Sequence, residues 1–443
     1  MEPFTGAAAR CGPGAPLAVP VPLASVDPTA GRPRPTGIGE VDRVLGGGLL
    51  AGSVTLVFGE PGVGKSTLLL QVLTAAAASG RTTLLVSAEE SAVQVRARAL
   101  RLGPLPESLL VAATSDLVAA VDAVGSLGPD LVVVDSIQTV ADPAVPGPPG
   151  SLAQVRACAD RMTRRAKEQG TTVVLVGQVT KDGDLAGPRA LEHLVDTVLA
   201  IEGDRHHSLR LLRAVKHRFG ATGEVGLFEL GDEGMVAVED PGPMLLGDRR
   251  AEVGGSAVAP LLQGSRPLLV ELQALACAGA PGGPRRNAQG IDPRRLAMVL
   301  AVLECRAGVA LGPVELFVSA AGGIRAVEPA ADLPLALALA SAADDRPLPA
   351  DLVSFGEIGL AGEVRSVPGA ARRLAEAARL GFTRALVPPG GPVGPPGIVT
   401  VPVRSVAEAL RAASGTGSGV GPGGRSTAGP PGGEIPAQRA RVA

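Results

Sequence analysis

Residues Gly59 to Thr67 read GEPGVGKST, a Gly-x-x-x-x-Gly-Lys-Ser/Thr loop. Such a loop wraps backbone N–H groups around a phosphate chain, and the helix that follows adds the positive end of its dipole. Lys65 has the reach and the point charge for the β- and γ-phosphates of a nucleoside triphosphate, and the Ser66 hydroxyl suits Mg2+. The binding loop is therefore read as Gly59, Glu60, Pro61, Gly62, Val63, Gly64, Lys65, Ser66 and Thr67, with ATP and Mg2+ as the expected ligands. A chance glycine-rich turn would not come with the strand-like SVTLVF before it and the helix-like STLLLQVLTAAAA after it.

Three further stretches end in groups that such a reaction needs. LVVVDS puts Asp135 at the end of a buried strand, where a carboxylate holds Mg2+ through water. LLVSAEES puts Glu89 and Glu90 at a strand tip, where one carboxylate can polarise the attacking water. Glu89 is the favoured base and Glu90 the structural partner. VGQVTKDG ends a strand with Gln178, whose amide either senses the γ-phosphate or makes an ordinary strand-end hydrogen bond.

A different kind of signal lies in LLRAVKHRFGATGE, residues 211–224. Lys216, His217 and Arg218 stand in a row before Phe219 and Gly220, and no Asp or Glu occurs between Arg205 and Gly223. Only four of the 41 basic residues are lysines: Lys65, Lys167, Lys181 and Lys216. A compact ammonium among so many planar guanidinium groups implies a specific use. Taken alone, the cluster is either a solvated face, a strand end paired with distant carboxylates, or a set of cations kept for an anion.

These groups need elements to hold them. Short apolar runs at 53–58, 82–87, 130–135, 171–177 and 195–201 alternate with segments of helical spacing, such as Val155, Ala159, Met162 and Ala166. That rhythm predicts an α/β fold with a mostly parallel sheet covered on both faces. From about 250 to 413 the pattern changes, with strand-like PLLVELQAL and helix-like RRLAMVLAVLECRAG and AARRLAEAARLG, which predicts a smaller α+β domain. The chain of 443 residues thus divides into a flexible arm (1–35), a first domain (36–245), a second domain (246–413) and a Gly/Pro-rich tail (414–443) that should stay disordered.

Composition sets limits. A formal charge of −2 gives no global attraction to nucleic acid, so any such binding must be local. Seven Phe are the only aromatic residues, which makes base stacking a minor term. The four cysteines fit neither metal spacing nor a disulfide framework, and the N-terminus is not that of a secretory signal, so a cytoplasmic setting without a membrane span is expected.

The runs PTGIGEVDRVLGGGL, VSAEES, DSIQTV, VTKDGDLAGPRALEHLVDTVLAIEGD, LRAVKHRFGATGEVGLFEL, RPLLVELQAL and FGEIGLAGEVRSV resemble the RadA (Sms) family of bacterial DNA repair proteins over roughly residues 34–412. The resemblance implies a RecA-like P-loop ATPase followed by a Lon-protease-like domain. It also implies a homo-oligomeric ring, expected to be a hexamer, that processes or branch-migrates recombination intermediates. Single-stranded and branched DNA and the RecA recombinase are the implied partners. In that family Lys216, His217, Arg218, Phe219 and Gly220 correspond to a Lys-Asn-Arg-Phe-Gly motif whose cations project into the neighbouring subunit's ATP site. His217 replaces the Asn and leaves both cations in place.

Two features depart from the family. Its opening zinc finger, two Cys-x-x-Cys pairs, has no counterpart, since Cys11 is the only cysteine in the first 150 residues; zinc is not expected. Lon proteolysis uses a Ser-Lys dyad, yet no lysine follows Lys216, and Leu335 stands where the resemblance puts the nucleophile, so no protease activity is expected. Candidate DNA contacts are Lys181 and Arg189 around a Gly-rich loop, then Arg285 and Arg286 in the second domain. The Arg-rich helix at 156–167 is a weaker one. The alternative to a DNA-dependent motor is a KaiC-like assembly factor in which ATP sets the state of the ring.

Overall fold

The computed structural model describes residues 31–178, 188–203, 208–278 and 285–414, with residues 22 and 24. Most of the expected arm and all but the first residue of the expected tail fall outside them.

The first sheet has nine strands: β1 (Val54–Gly59), β2 (Thr83–Ser87), β3 (Leu109–Ala113), β4 (Leu131–Asp135), β5 (Thr172–Gln178), β6 (Thr197–Glu202), β7 (Leu209–His217), β8 (Val225–Gly231) and β9 (Gly234–Ala237). Their order is β3-β2-β4-β5-β1-β6-β7-β8-β9. The first six lie parallel and the last three antiparallel. Parallel strands are joined by crossover helices that cover both faces, which is why their sequences are continuous aliphatic runs. Among the helices, α1 (Gly39–Val44), α2 (Lys65–Ala78) and α3 (Ala92–Leu100) close one face, through Val41, Leu68, Leu73 and Val95. The other face is closed by α4 (Leu117–Leu127), α5 (Leu152–Gln169) and α6 (Pro188–Leu191), through Leu117, Val155, Met162 and Leu191. This is the α/β, RecA-like P-loop ATPase architecture, followed by a smaller unit.

The second unit opens with α7 (Gly242–Leu246) and the long hairpin β10 (Ser256–Gln263) and β11 (Arg266–Ala278). Then come β12 (Arg286–Gln289), α8 (Pro293–Val302), β13 (Val314–Ala320), α9 (Asp332–Asp344), β14 (Leu352–Ser354) and the short pair β15 (Glu357–Ile358) and β16 (Val364–Arg365). It closes with α10 (Ala370–Arg379), β17 (Arg384–Val387), β18 (Val399–Pro402) and α11 (Val406–Ala413). Seven of these strands form a mixed sheet in the order β12-β13-β11-β10-β14-β17-β18. The nearly all-apolar α9 is buried along most of its length against that sheet.

The two sheets share a core. Leu209, Leu211, Val225 and Leu227 of β7 and β8 pack in one cluster with Leu245, Leu261 and Leu268. A buried ion pair crosses the same seam: Arg266 of β11 meets Glu40 of α1 at 2.5 Å, and Glu40 also accepts from Leu227 N at 2.9 Å. Removing one partner of such a pair strands a buried charge at a cost of about 3–5 kcal/mol. Among the described residues no helix is long and apolar enough to cross a membrane.

Candidate nucleotide site

The cleft opens at the carboxyl ends of the parallel strands, where α/β sheets bind their ligands. Gly59 ends β1 opposite Gln178 of β5, and Asp135 ends β4 opposite Ser87 of β2. Gly64 caps α2 at φ 106°, a left-handed conformation natural only to glycine, and a Cβ there would lie 2.8 Å from Met235 Sδ. The loop can therefore turn sharply into the helix. The cleft of about 300 Å³ is lined by Pro61, Gly62, Gly64, Lys65, Ser66, Thr67, Ser87, Glu89, Glu90, Arg98, Asp135, Gln178 and Leu230. A larger hollow of about 560 Å³ on the second sheet, around Glu271, Gln273 and Phe317, has neither a lysine nor a phosphate-binding loop among its lining residues.

Lys65 is buried, and its Nζ donates to Gly59 O and Glu60 O, both at 2.9 Å. Burial pushes its pKa down, while the carboxylates of Asp135 and Glu89 oppose that shift. Asp135 is pushed the other way: burial raises its carboxyl, and the Ser66 hydroxyl bonded to it and the nearby Arg98 pull it back. Ser66 and Asp135 thus present adjacent oxygen donors, the donor set a hard cation such as Mg2+ takes. Val63 is buried in the core against the first sheet, and its carbonyl accepts from the buried Arg210 Nε of β7 at 3.2 Å.

The two glutamates are placed differently. Glu89 Oε1 accepts from Ser136 Oγ at 2.8 Å and from Gln178 Nε2 at 3.4 Å. Glu90 is tied to Arg98 of α3 at 3.0 Å, and its main chain is bonded to Ser87 Oγ. Gln178 is bracketed by Gln138, which accepts from its N–H and donates to its carbonyl, both at 3.1 Å. Arg98, Arg210, Ser136 and Gln138 were not singled out in the sequence. Arg98 had a usable signal: Ser91 and Gln94 form a capping box that starts α3, and two turns later the helix face returns toward the glutamates.

The Lys216–Gly220 motif lies at the other end of the sheet. His217 pairs with Thr197, which pairs with Thr55, whereas Gly59 is level with Ile201 and Leu212. Four residues of strand, ~13 Å, separate the two levels. A register shift in the β6–β7 ladder between Val198 and Leu199 bulges β7 at Val215, just before Lys216. Lys216 Nζ donates to Val195 O at 2.8 Å and to Glu192 O. Arg218 is 3.6 Å from Asp196 with a side chain 67% exposed, and Phe219 is 52% exposed. His217 bridges Leu45 O at 3.1 Å and Thr197 Oγ1 at 3.3 Å. The acid-free stretch is thus not without partners: a carboxylate comes from Asp196 at the start of the neighbouring strand.

Of the other cations, Lys181 falls outside the described residues and only the backbone of Arg189 is described, in α6. Arg285 is largely exposed and 4.0 Å from Glu315, while Arg286 spends its guanidinium on the carbonyls of Leu311, Gly312 and Val314. On α5, Arg161, Arg164 and Arg165 are paired with Asp142, Asp160 and Glu168. Leu335 is buried in α9.

A model described as an AAA domain matches residues 36–184, and one described as subunit ChlI of Mg-chelatase matches residues 315–390. The chain is 49% identical over 399 residues to the DNA repair protein RadA of Mycobacterium tuberculosis (strain H37Rv), covering 90% of this chain and 83% of that one. It is 46% identical over 401 residues to the Bacillus subtilis (strain 168) protein of that name, covering 89% and 87%. With the Brucella abortus (strain 2308) protein it shares 48% over 360 residues, covering 80% and 77%. A Gly-Lys-Ser cradle facing paired strand-end carboxylates, on a chain so closely matched along its length, leaves one assignment: the chain belongs to the family of the DNA repair protein RadA.

Proposed function

We propose that this protein is a DNA-stimulated ATPase that acts on recombination intermediates as a closed head-to-tail ring, six-membered by family resemblance. Residues 36–245 form the ATPase unit and 246–413 a proteolytically silent Lon-like unit. The observation that carries the reading is the separation of the cradle and the cation motif to opposite ends of one sheet. A protomer cannot lay its own Lys216 on its own nucleotide, but a heterologous ring repeats the contact at every interface.

Within the cradle, Lys65 and the loop N–H groups hold the phosphates, and Ser66 and Asp135 hold Mg2+, which when bound neutralises charge on the β- and γ-phosphates. Glu89 takes the proton of the attacking water while Ser136 and Gln178 fix its carboxylate. Glu90 is occupied by Arg98, which supports Glu89 as the base. Lys216 and Arg218 of the neighbour meet the charge that builds as the γ-phosphate leaves. Arg218 is largely exposed and 3.6 Å from Asp196, whose buried carboxylate also accepts from Val54 N at 3.1 Å, so the guanidinium can swing away without leaving that carboxylate unpartnered.

DNA contacts are assigned to Lys181 and Arg189, then Arg285, as backbone electrostatics rather than stacking; Arg286 ranks lower because carbonyls already engage it. The RecA recombinase is the proposed partner. The test is steady-state ATP turnover with and without single-stranded DNA, across a salt series. Stimulation that fades steeply with salt is expected. Turnover indifferent to DNA would favour the nucleotide-switched assembly factor instead. Unfolded casein incubated with ATP should remain uncut.

A further inference from the structure

The loop that carries Arg218, Phe219 and Gly220 leaves the sheet at β7 and is solvent-exposed from Arg218 to Thr222. Its first end is held from within the first unit, where Arg218 N donates to Asp196 O at 3.0 Å. The other end is gripped from outside it. The tip of the β10–β11 hairpin, which belongs to the second unit, lies directly on Gly223 and Glu224. Ser265 N donates to Gly223 O, and Ser265 Oγ donates to the Glu224 carboxylate. Gly264 allows this approach: its φ is +64°, and a Cβ would fall 2.1 Å from Gly223 O. Either fact alone disfavours any other residue there. The hairpin is itself braced, by Arg372 of α10 on Ser265 O at 3.4 Å and by the Arg266–Glu40 pair.

We infer that the β10–β11 tip positions the cation motif, so that Gly264, Ser265 and Glu224 set turnover in the neighbouring subunit rather than in their own. This rests on the proposal that Lys216 and Arg218 act across the ring interface. The second unit would then hold the loop at the reach and angle the neighbour's phosphate requires, and any shift of that unit would register as a change in hydrolysis next door. These are positioning residues; none touches nucleotide within its own chain, since the tip lies with the motif away from the cradle.

The effect should appear in kcat and not in KM for ATP, because each subunit's own cradle is untouched. Ser265→Ala and Glu224→Ala are each expected to lower kcat up to about tenfold, as loss of one hydrogen bond permits. Glu224→Gln keeps an acceptor for Ser265 Oγ and should stay within about twofold of wild type, as one acceptor replaces another. Gly264→Ala forces the loop off its place and should cost about 10²-fold, the scale of a misplaced catalytic group. The experiment uses full-length chains, checks ring size for each variant, and then mixes Ser265→Ala with Lys65→Ala subunits. A Ser265→Ala cradle next to an intact motif should regain turnover. A raised KM with unchanged kcat, or wild-type kcat in Ser265→Ala and Glu224→Ala while Lys216→Ala is crippled and recovers in the same mixture, would overturn the hairpin's role alone. If Lys216→Ala itself fails to recover with Lys65→Ala in verified mixed rings, the trans-acting reading falls, and this inference with it.

Discussion

The two ends of the nine-stranded sheet handle charge in opposite ways. At the carboxyl end, Lys65, Arg98, Asp135, Glu89 and Glu90 crowd into one cleft, where burial moves Lys65 down and Asp135 up while Asp135 and Glu89 oppose the first shift and Ser66 and Arg98 the second. At the amino end Lys216 sits on backbone carbonyls and Arg218 lies 3.6 Å from the buried Asp196, with Arg218 and Phe219 turned to solvent. The first end is a site closed on itself. The second places its cations and Phe219 at the surface, where none of residues 216–220 lines either hollow described above, the arrangement that the proposed contact with a neighbouring chain needs.

Substitutions should separate these two ends. Lys65→Ala removes the point charge at the centre of the cleft and is expected to weaken ATP binding and lower turnover by at least about 10³-fold, followed by nucleotide titration and phosphate release. Retained turnover would show that the cradle has been misassigned. Next in size is the contrast within the acidic pair. Glu89→Gln should lower kcat by about 10²–10⁴-fold, whereas Glu90→Gln should cost less than about tenfold, since it loses only its grip on Arg98. A reversed ranking in single-turnover assays would reassign the base.

The smallest effect is structural and involves residues that do not line the cleft. Asp142 is held well below the usual carboxylate range, first by the Arg161 guanidinium and then by the Ala144 N–H. A depressed carboxylate contributes its full stability above its unfolded value of about 4 and loses it as the pH falls through the folded value. Arg161→Gln should therefore cost about 1 kcal/mol near neutral pH, a modest figure because Arg161 is partly exposed. Urea melts should show that penalty shrinking in acid; a penalty independent of pH would mean the pair contributes nothing.

The cradle end was readable from sequence because each part ends a continuous aliphatic run, and the loop is a contiguous motif. The strands expected at 53–58, 82–87, 130–135, 171–177 and 195–201 appear within two residues of β1, β2, β4, β5 and β6. By contrast, β3 is a half-exposed edge strand, and β7 reads LRLLRAVKH, whose charges hide its alternation. Arg210 in that strand is buried because it holds Val63 O, a pairing between residues 147 positions apart that no local pattern reveals. The same holds for Glu40 with Arg266 and for Ser265 with Glu224, which depend on how two units fold onto each other.

One measurement bears most directly on the claim that the cation motif serves the neighbouring site. Lys216→Ala subunits, with an intact cradle and no lysine to lend, are mixed with Lys65→Ala subunits, whose cradle is dead but whose motif is intact. Rings are verified as mixed by size and labelling, and ATP turnover is compared with that of each variant alone. Turnover above both parents is the expected result, because some intact cradles then sit beside intact motifs. No gain in verified mixed rings, with wild-type subunits doped into Lys216→Ala rings keeping full activity per site, would place the motif in the service of its own subunit and contradict the account.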